Sequence, residues 1–531
     1  MSHSFDERDE GQVNAASLDL ADEDLRELAA GFVELTTDYF RRVSEMPVFP
    51  QTNSDEIARR LHQPLPLEPQ PLAHLIEDSR TLINLGRQNG HPRMYGYIAS
   101  PSTPAGAFAN LLASAISQNV TTWRSAPGAT TIEHQVVGWL AEMTGFSETG
   151  SARDAGAPGG LLTSGGSMAN LNALFVALRT KAREWQRPDG QELSLSAQGL
   201  WNVGAPATLY TSDQTHLSVP KAADFIGLGR EQVRLVPSDA DFKLDVRLLR
   251  EMIEADLARG LRPFCVVANA GTVSTGAIDP LADVARVARD YGLWFHVDGA
   301  YGALAALDAS KRPLLSGVAH ADSLSLDPHK WLYTPVGCGC LLLRSPARSR
   351  MAYSGGEDAY IKVYEEREAE TFAFWDYGIE LSRPFRALPI WLMLRYYGVR
   401  RVAAAIAKDN ALAAYMAERV SAAEDLELLA PVTLGICCFR YVPTADRQAL
   451  AGASREERDE INVRLDDLNA RIMRRVQRGG AAYVSNASLR GRFSLRASIT
   501  NFRTTRRDID ATLDTVRRAG IEEGRSNKGK A

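Results

Sequence analysis

Between about residues 105 and 345 the chain alternates short apolar runs with stretches of helical period, and this limits what it can fold into. The apolar runs are Gly160–Thr163, Ala207–Tyr210, Gln232–Val236, Phe264–Ala268, Leu293–Val297, Ser323–Leu326 and Cys340–Leu343. Helical runs fall between them at 167–186, 245–259 and 279–291. Strands joined through helices make crossover connections, which give a mostly parallel sheet with helices on both faces. The expected class is therefore α/β with a seven-stranded sheet. A ligand of such a sheet sits at the carboxyl ends of its strands.

A chain of 531 residues is too long for one core. Residues 1–22 and 523–531 read as disordered tails, and 23–104 as an N-terminal arm of helices and Pro-rich linkers. The large domain is expected over 105–390. Within it, glycines and dense charge at 346–376 suggest a mobile loop. Residues 391–522 again mix strands and helices, as a small C-terminal α+β domain.

With a net charge of -5, the sequence offers no nucleic-acid or membrane footprint. No run approaches the length of an apolar membrane span, and the polar, acidic N-terminus lacks the apolar core of a secretion signal. Five cysteines, Cys265, Cys338, Cys340, Cys437 and Cys438, are sparse for this length and suit a reducing cytoplasm. No Cys/His pair at ligand spacing points to a metal.

Two of the apolar runs end on chemistry. Leu293-Trp-Phe-His-Val runs into Asp298, followed by Gly299 and Ala300. About thirty residues later, Ser323-Leu-Ser-Leu-Asp-Pro-His-Lys-Trp-Leu332 sets Lys330 among Leu326, Trp331 and Leu332, directly after His329. A Lys in an apolar setting forms Schiff bases, and a carboxylate at a strand end can keep a pyridine nitrogen protonated. Pyridoxal 5'-phosphate (PLP) enzymes need both. Thr163-Ser-Gly-Gly-Ser167 follows a strand and opens a helix, so Gly165, Gly166 and Ser167 could cradle a phosphate, although such turns are often structural. His216 is either a solvated loop histidine or an imidazole stacked on a cofactor ring. Tyr360, in the charged loop, is either an anchoring aromatic or a proton donor.

These residues carry a resemblance. The chain resembles the PLP-dependent group II amino-acid decarboxylases of fold type I, over roughly residues 75–515. The anchors are His91-Pro, Thr163–Ser167, Asp213-Gln-Thr-His216, Gly271-Thr272, His296-Val-Asp-Gly-Ala300, Pro328-His-Lys-Trp331, Phe385–Leu388 and Phe493–Arg496. The resemblance implies that Lys330 holds the cofactor as a Schiff base. It has Asp298 pairing with the pyridine nitrogen, His216 stacking on the ring and Ala300 packing beneath it. Gly165, Gly166 and Ser167 would bind the phosphate, and Thr272 would lie near the 3'-hydroxyl side. Tyr360 would protonate the substrate α-carbon and His329 would assist proton movement. Tyr97 and Ser100 would line the substrate pocket. A homodimer with sites at the subunit interface is also implied.

Asp327 stands where some members have Asn. Since a carboxylate there would repel a phosphate, it is expected to point away or to contact backbone N–H groups. The expected reaction is decarboxylation of an L-amino acid to its amine. Arg496, the best placed of Arg490, Arg492 and Arg496, either binds a substrate carboxylate or is structural. Tyr97, Ile98 and Trp123 favour an aromatic or hydrophobic substrate. An acidic amino acid, 2,4-diaminobutyrate, an aldehyde synthase reaction and another fold-type-I lyase remain as alternatives.

Overall fold

The computed structural model describes residues 18–147, 159–185, 193–200, 203–353 and 368–528. They fall into two compact units. The first holds helices Asp22–Arg42, Ser54–Leu61 and Leu72–Leu85. Its first helix opens on Asp22, Glu23 and Asp24 and closes on Arg41 and Arg42, so its charges oppose the helix dipole at both ends.

The second unit comprises 47–49 and the chain from Gln88 onward. A short strand β1 (Met94–Tyr95) precedes seven that form one sheet: β2 (Gly160–Thr163), β3 (Ala207–Ser212), β4 (Val233–Val236), β5 (Arg262–Asn269), β6 (Trp294–Asp298), β7 (Ser323–Leu326) and β8 (Gly339–Leu343). Their spatial order is β2-β8-β7-β6-β5-β3-β4, and only β8 runs antiparallel to its neighbours. The residues of β2, β3, β6, β7 and β8 are all buried. Strands covered on both faces lose the alternation of a half-exposed sheet and read as continuous apolar runs. The α/β class and the seven-stranded, mostly parallel sheet expected from the sequence are therefore present.

The register sets up the site. Asn269 of β5 pairs with Asp298 of β6, which pairs with Ser325 of β7, so three polar side chains sit abreast at the carboxyl ends of parallel strands.

A second sheet, in the order β1-β11-β12-β10-β9, gathers β9 (Leu426–Leu428), β10 (Ile436–Tyr441), β11 (Tyr483–Leu489) and β12 (Arg492–Ser498) with β1. Helices Val399–Ser421, Arg455–Arg478 and Arg506–Lys528 build a separate apolar core with it.

Helix Ala387–Tyr397 stops at Gly398, whose φ of 76° lies in the left-handed region, before Val399–Ser421 resumes. Two stretches differ from the sequence reading. Residues 346–353 of the expected loop are helical. Disorder expected from 523 gives way to helix through Lys528, where Glu522 and Glu523 pair with Arg475 at 2.9 and 2.6 Å. No helix among the described residues is long and apolar enough to cross a membrane.

Candidate active site

A cavity of about 690 Å³ opens at the carboxyl ends of the large sheet. Gly165, Gly166, Ser167, His216, Asp298, Ala300, His329, Lys330, Tyr97 and Arg496 all line it. Residues some 400 positions apart in sequence are thus brought onto one cavity wall.

Asp298 closes β6 with its carboxylate fixed. Oδ2 accepts from Asn170 Nδ2 at 2.8 Å, and Oδ1 accepts from the Ala300 N–H at 3.1 Å and Ser325 Oγ at 3.3 Å. His216 follows β3, and its Nδ1 accepts from the Ser218 N–H at 3.2 Å and lies 2.8 Å from Ser218 Oγ. Burial lowers the His216 pKa, with Asp298 opposing the shift, which favours the neutral ring.

Lys330 sits on the short helix Pro328–Trp331 just past β7. Leu326, Trp331 and Leu332 are buried around it as expected. The expectation for Asp327 is overturned: the carboxylate turns toward Lys330, with Oδ2 3.0 Å from Nζ. Position 327 is three residues before Lys330 across this helical turn, which puts the two side chains on one face. Asp327 Oδ1 is buried with no hydrogen-bond partner among the described residues. His329 Nδ1 donates to the Cys338 carbonyl at 2.6 Å, leaving Nε2 3.8 Å from Asp327.

The turn carrying Lys330 is pinned from behind. Trp331 Nε1 and Tyr333 Oη both donate to Asp409 Oδ2, at 3.2 and 2.7 Å. Burial pushes the Asp409 carboxyl up to about 7. Its proton is therefore held more tightly in the folded chain than in the unfolded one, whose carboxyl titrates near 3.9. The resulting stabilisation is complete below the unfolded value and is lost as pH rises through the folded one. Asp409→Asn removes this term, so its melting temperature relative to the parent chain should rise between pH 4 and pH 7 and then level off. Parallel melting curves from pH 4 to 8 check it, and a constant offset would refute it.

Other expected residues are placed differently. Thr272 lies between two lining residues, Gly271 and Val273, but its Oγ1 is within its own turn, 3.0 Å from Thr275 Oγ1 and accepting from the Ala277 N–H at 3.1 Å. Ser100 is buried and is not among the lining residues. Trp123, which is half-buried, is not among the lining residues either, whereas Ile98 lines the cavity. Tyr360 lies outside the described residues.

The structure also adds residues. Asn170, Ser218, Asn269 and Ser274 line the cavity, as do Ser485, Asn486 and Ala487 of β11. The signal for β11 was the faint alternation Ser485, Ala487, Leu489, in which two of the inward residues are too small to register as apolar. Asn170 carried no signal, because an Asn on a helix ordinarily faces water.

A primary amine, a strand-end carboxylate, an imidazole and a Gly-Gly turn at a helix N-terminus fit PLP together. At Gly166 the fit is steric as well. A Cβ there would lie 2.8 Å from Ala300 Cβ and 3.0 Å from Asp327 Oδ2, so only glycine lets the backbone approach. Fold and constellation define a PLP enzyme of fold type I.

The comparisons carry this further. The family model described as pyridoxal-dependent decarboxylase conserved domain matches residues 55–442. The aromatic-L-amino-acid decarboxylase of Bacillus atrophaeus is 33% identical over 496 residues, 93% of this chain and 95% of that one. Among solved structures, Catharanthus roseus tryptophan decarboxylase in complex with L-tryptophan superposes with a TM-score of 0.80 at 26% identity, covering 95% of this chain and 100% of that one. Rhodiola rosea 4-hydroxyphenylacetaldehyde synthase gives 0.79 at 28%, covering 95% and 99%. The chain belongs to the pyridoxal-dependent decarboxylases. It is a PLP-dependent amino-acid decarboxylase, a carboxy-lyase.

Proposed function

We propose that this decarboxylase acts on an aromatic L-amino acid, releasing carbon dioxide and the corresponding arylalkylamine. The observation that carries the reading is the cation inventory of the cavity. Among the described residues lining it, Lys330 and Arg496 are the only Lys or Arg. Arg496 is buried, donating from Nε to the Ser274 carbonyl at 3.1 Å and from Nη1 to the Tyr97 carbonyl at 2.9 Å, while its buried Nη2 has no partner among the described residues. A buried guanidinium with a free donor suits one carboxylate. Among the described lining residues no second Lys or Arg is present for an acidic side chain, whereas Tyr97, Ile98, Val273 and Ala487 offer apolar surface. The relatives named for aromatic substrates support the same choice.

Each residue then has a task. Bound PLP supplies an electron sink that weakens the substrate's Cα–carboxylate bond. Lys330 would supply the amine that carries the cofactor, Asp298 would keep its ring nitrogen protonated, and His216 and Ala300 would hold its ring. Gly165, Gly166 and Ser167 take the phosphate through N–H groups and a hydroxyl. Arg496 orients the substrate carboxylate, His329 assists proton movement, and Tyr360 protonates Cα. We place the enzyme in the cytoplasm as a homodimer.

A panel of L-amino acids offered to the purified, PLP-loaded protein tests the reading. Equal amounts of carbon dioxide and amine from Trp, Tyr, Phe or a hydroxylated relative are expected. Turnover of Glu, Asp or 2,4-diaminobutyrate in preference would overturn the substrate class. Aldehyde, ammonia and hydrogen peroxide formed with consumption of oxygen would assign the aldehyde synthase reaction instead, as in the Rhodiola rosea relative.

A further inference from the structure

We propose that Asn170 is a positioning residue that orients both groups flanking the cofactor ring, Asp298 and His216, and that His296 sets its direction. This rests on the roles assigned above to Asp298 and His216.

The argument is a donor count. Trp294 Nε1 can only donate, and it does so to Ser323 Oγ at 2.9 Å. Ser323 Oγ lies 2.8 Å from His296 Nδ1, and His296 Nε2 lies 3.0 Å from Asn170 Oδ1. Asn170 Nδ2 reaches Asp298 Oδ2 at 2.8 Å and Ser218 Oγ at 2.9 Å, and Ser218 Oγ reaches His216 Nδ1. An ionised carboxylate can only accept, so the Asn170 amide must aim its NH₂ at Asp298 and its oxygen at His296. His296 must then donate from Nε2, which leaves Nδ1 to accept from the Ser323 hydroxyl. Burial lowers the His296 pKa to about 4, which keeps the ring in the neutral form this requires.

Every proton therefore points one way, from Trp294 through Ser323, His296 and Asn170, where the chain divides. One hydrogen of the Asn170 NH₂ goes to Asp298. The other goes to Ser218, whose own hydroxyl proton is then free for His216 Nδ1. With Nδ1 accepting, the His216 proton resides on Nε2. Asn170, His296 and Ser323 are each 1% exposed or less, so the bonds among these three are shielded from water.

The test uses the full-length chain and three readouts: PLP affinity by absorbance titration, the ¹⁵N shift of PLP labelled at the pyridine nitrogen, and the melting temperature without PLP. Asn170→Asp keeps the shape but faces Asp298 with a second acceptor, so PLP affinity should fall about 10- to 100-fold. The pyridine nitrogen should shift toward its unprotonated position. His296→Phe, which cannot donate to Asn170, should reproduce the loss in weaker form. His296→Gln, which restores an N–H near the place of Nε2, should recover most of it.

A pyridine shift and PLP affinity unchanged in Asn170→Asp would overturn the proposal. So would a fall in melting temperature alone, since a merely structural role predicts that. Failure of the underlying reading looks different: the parent chain itself would then give no protonated pyridine signal.

Discussion

Lys330→Ala should abolish amine formation, with a loss of about 10⁴-fold or more in kcat, because the group removed takes part directly in the chemistry. The visible absorption band of the lysine-bound cofactor should vanish while PLP still binds through its phosphate and ring contacts. Asp327 makes this variant informative in a second way. Its carboxylate is 4% exposed and has Lys330 Nζ 3.0 Å away as its partner. Removing the amine leaves a buried carboxylate beside the turn expected to take the phosphate, so Lys330→Ala should bind PLP more weakly than loss of one covalent link alone predicts. Lys330→Ala/Asp327→Asn, which removes the stranded charge, should regain PLP affinity without regaining turnover. Absorbance titration and a carbon dioxide assay on both variants check the pair. Residual turnover above about a hundredth of the parent rate would contradict the assignment of Lys330. Equal PLP affinity in the single and double variants would contradict the account of Asp327.

What the sequence could and could not disclose follows from the physics of each residue. The central strands were legible because burial on both faces leaves uninterrupted apolar runs such as Phe264–Ala268. Asp298 was legible because it closes such a run with a charge, and Lys330 because it stands among Leu326, Trp331 and Leu332 just past the next one. Asp327 was placed wrongly because repulsion from a phosphate was weighed and attraction to Lys330, one turn away, was not. Asn170 was passed over because its importance lies in partners distant in sequence, Ser218, His296 and Asp298, which come together only when helix Gly166–Ala182 packs across the sheet. Strand β11 was unread because Ser485 and Ala487 are small, although both line the cavity.

Arg383→Met should be among the most destabilising single substitutions in the chain, by about 3–5 kcal/mol, because it strands a buried carboxylate. Arg383 and Glu133 form an ion pair whose side chains are 1% and 0% exposed. The pair joins three segments. Arg383 Nη1 donates to the Val120 carbonyl at 2.9 Å, Nη2 donates to the Leu162 carbonyl at 2.8 Å, and Glu133 Oε1 accepts from the Leu162 N–H at 2.9 Å. Leu162 thus has both backbone groups tied to this pair, and the residues after it lead through Thr163 into the turn at Gly165 and Gly166. The guanidinium also lies 3.9 Å over the Phe374 ring. Substituting Met leaves Glu133 charged and dry, and desolvation then opposes folding without compensation. A pair of apolar residues of similar volume avoids that penalty, so Arg383→Met/Glu133→Leu should recover a large part of the loss. The two unmatched backbone groups of Leu162 would keep the recovery incomplete. Urea midpoints measured without PLP order the three proteins as parent, double variant, then Arg383→Met. PLP affinity should follow the same order, because β2 delivers the phosphate turn. A double variant no more stable than the single one would show that lost packing around Phe374, rather than a stranded charge, sets the cost.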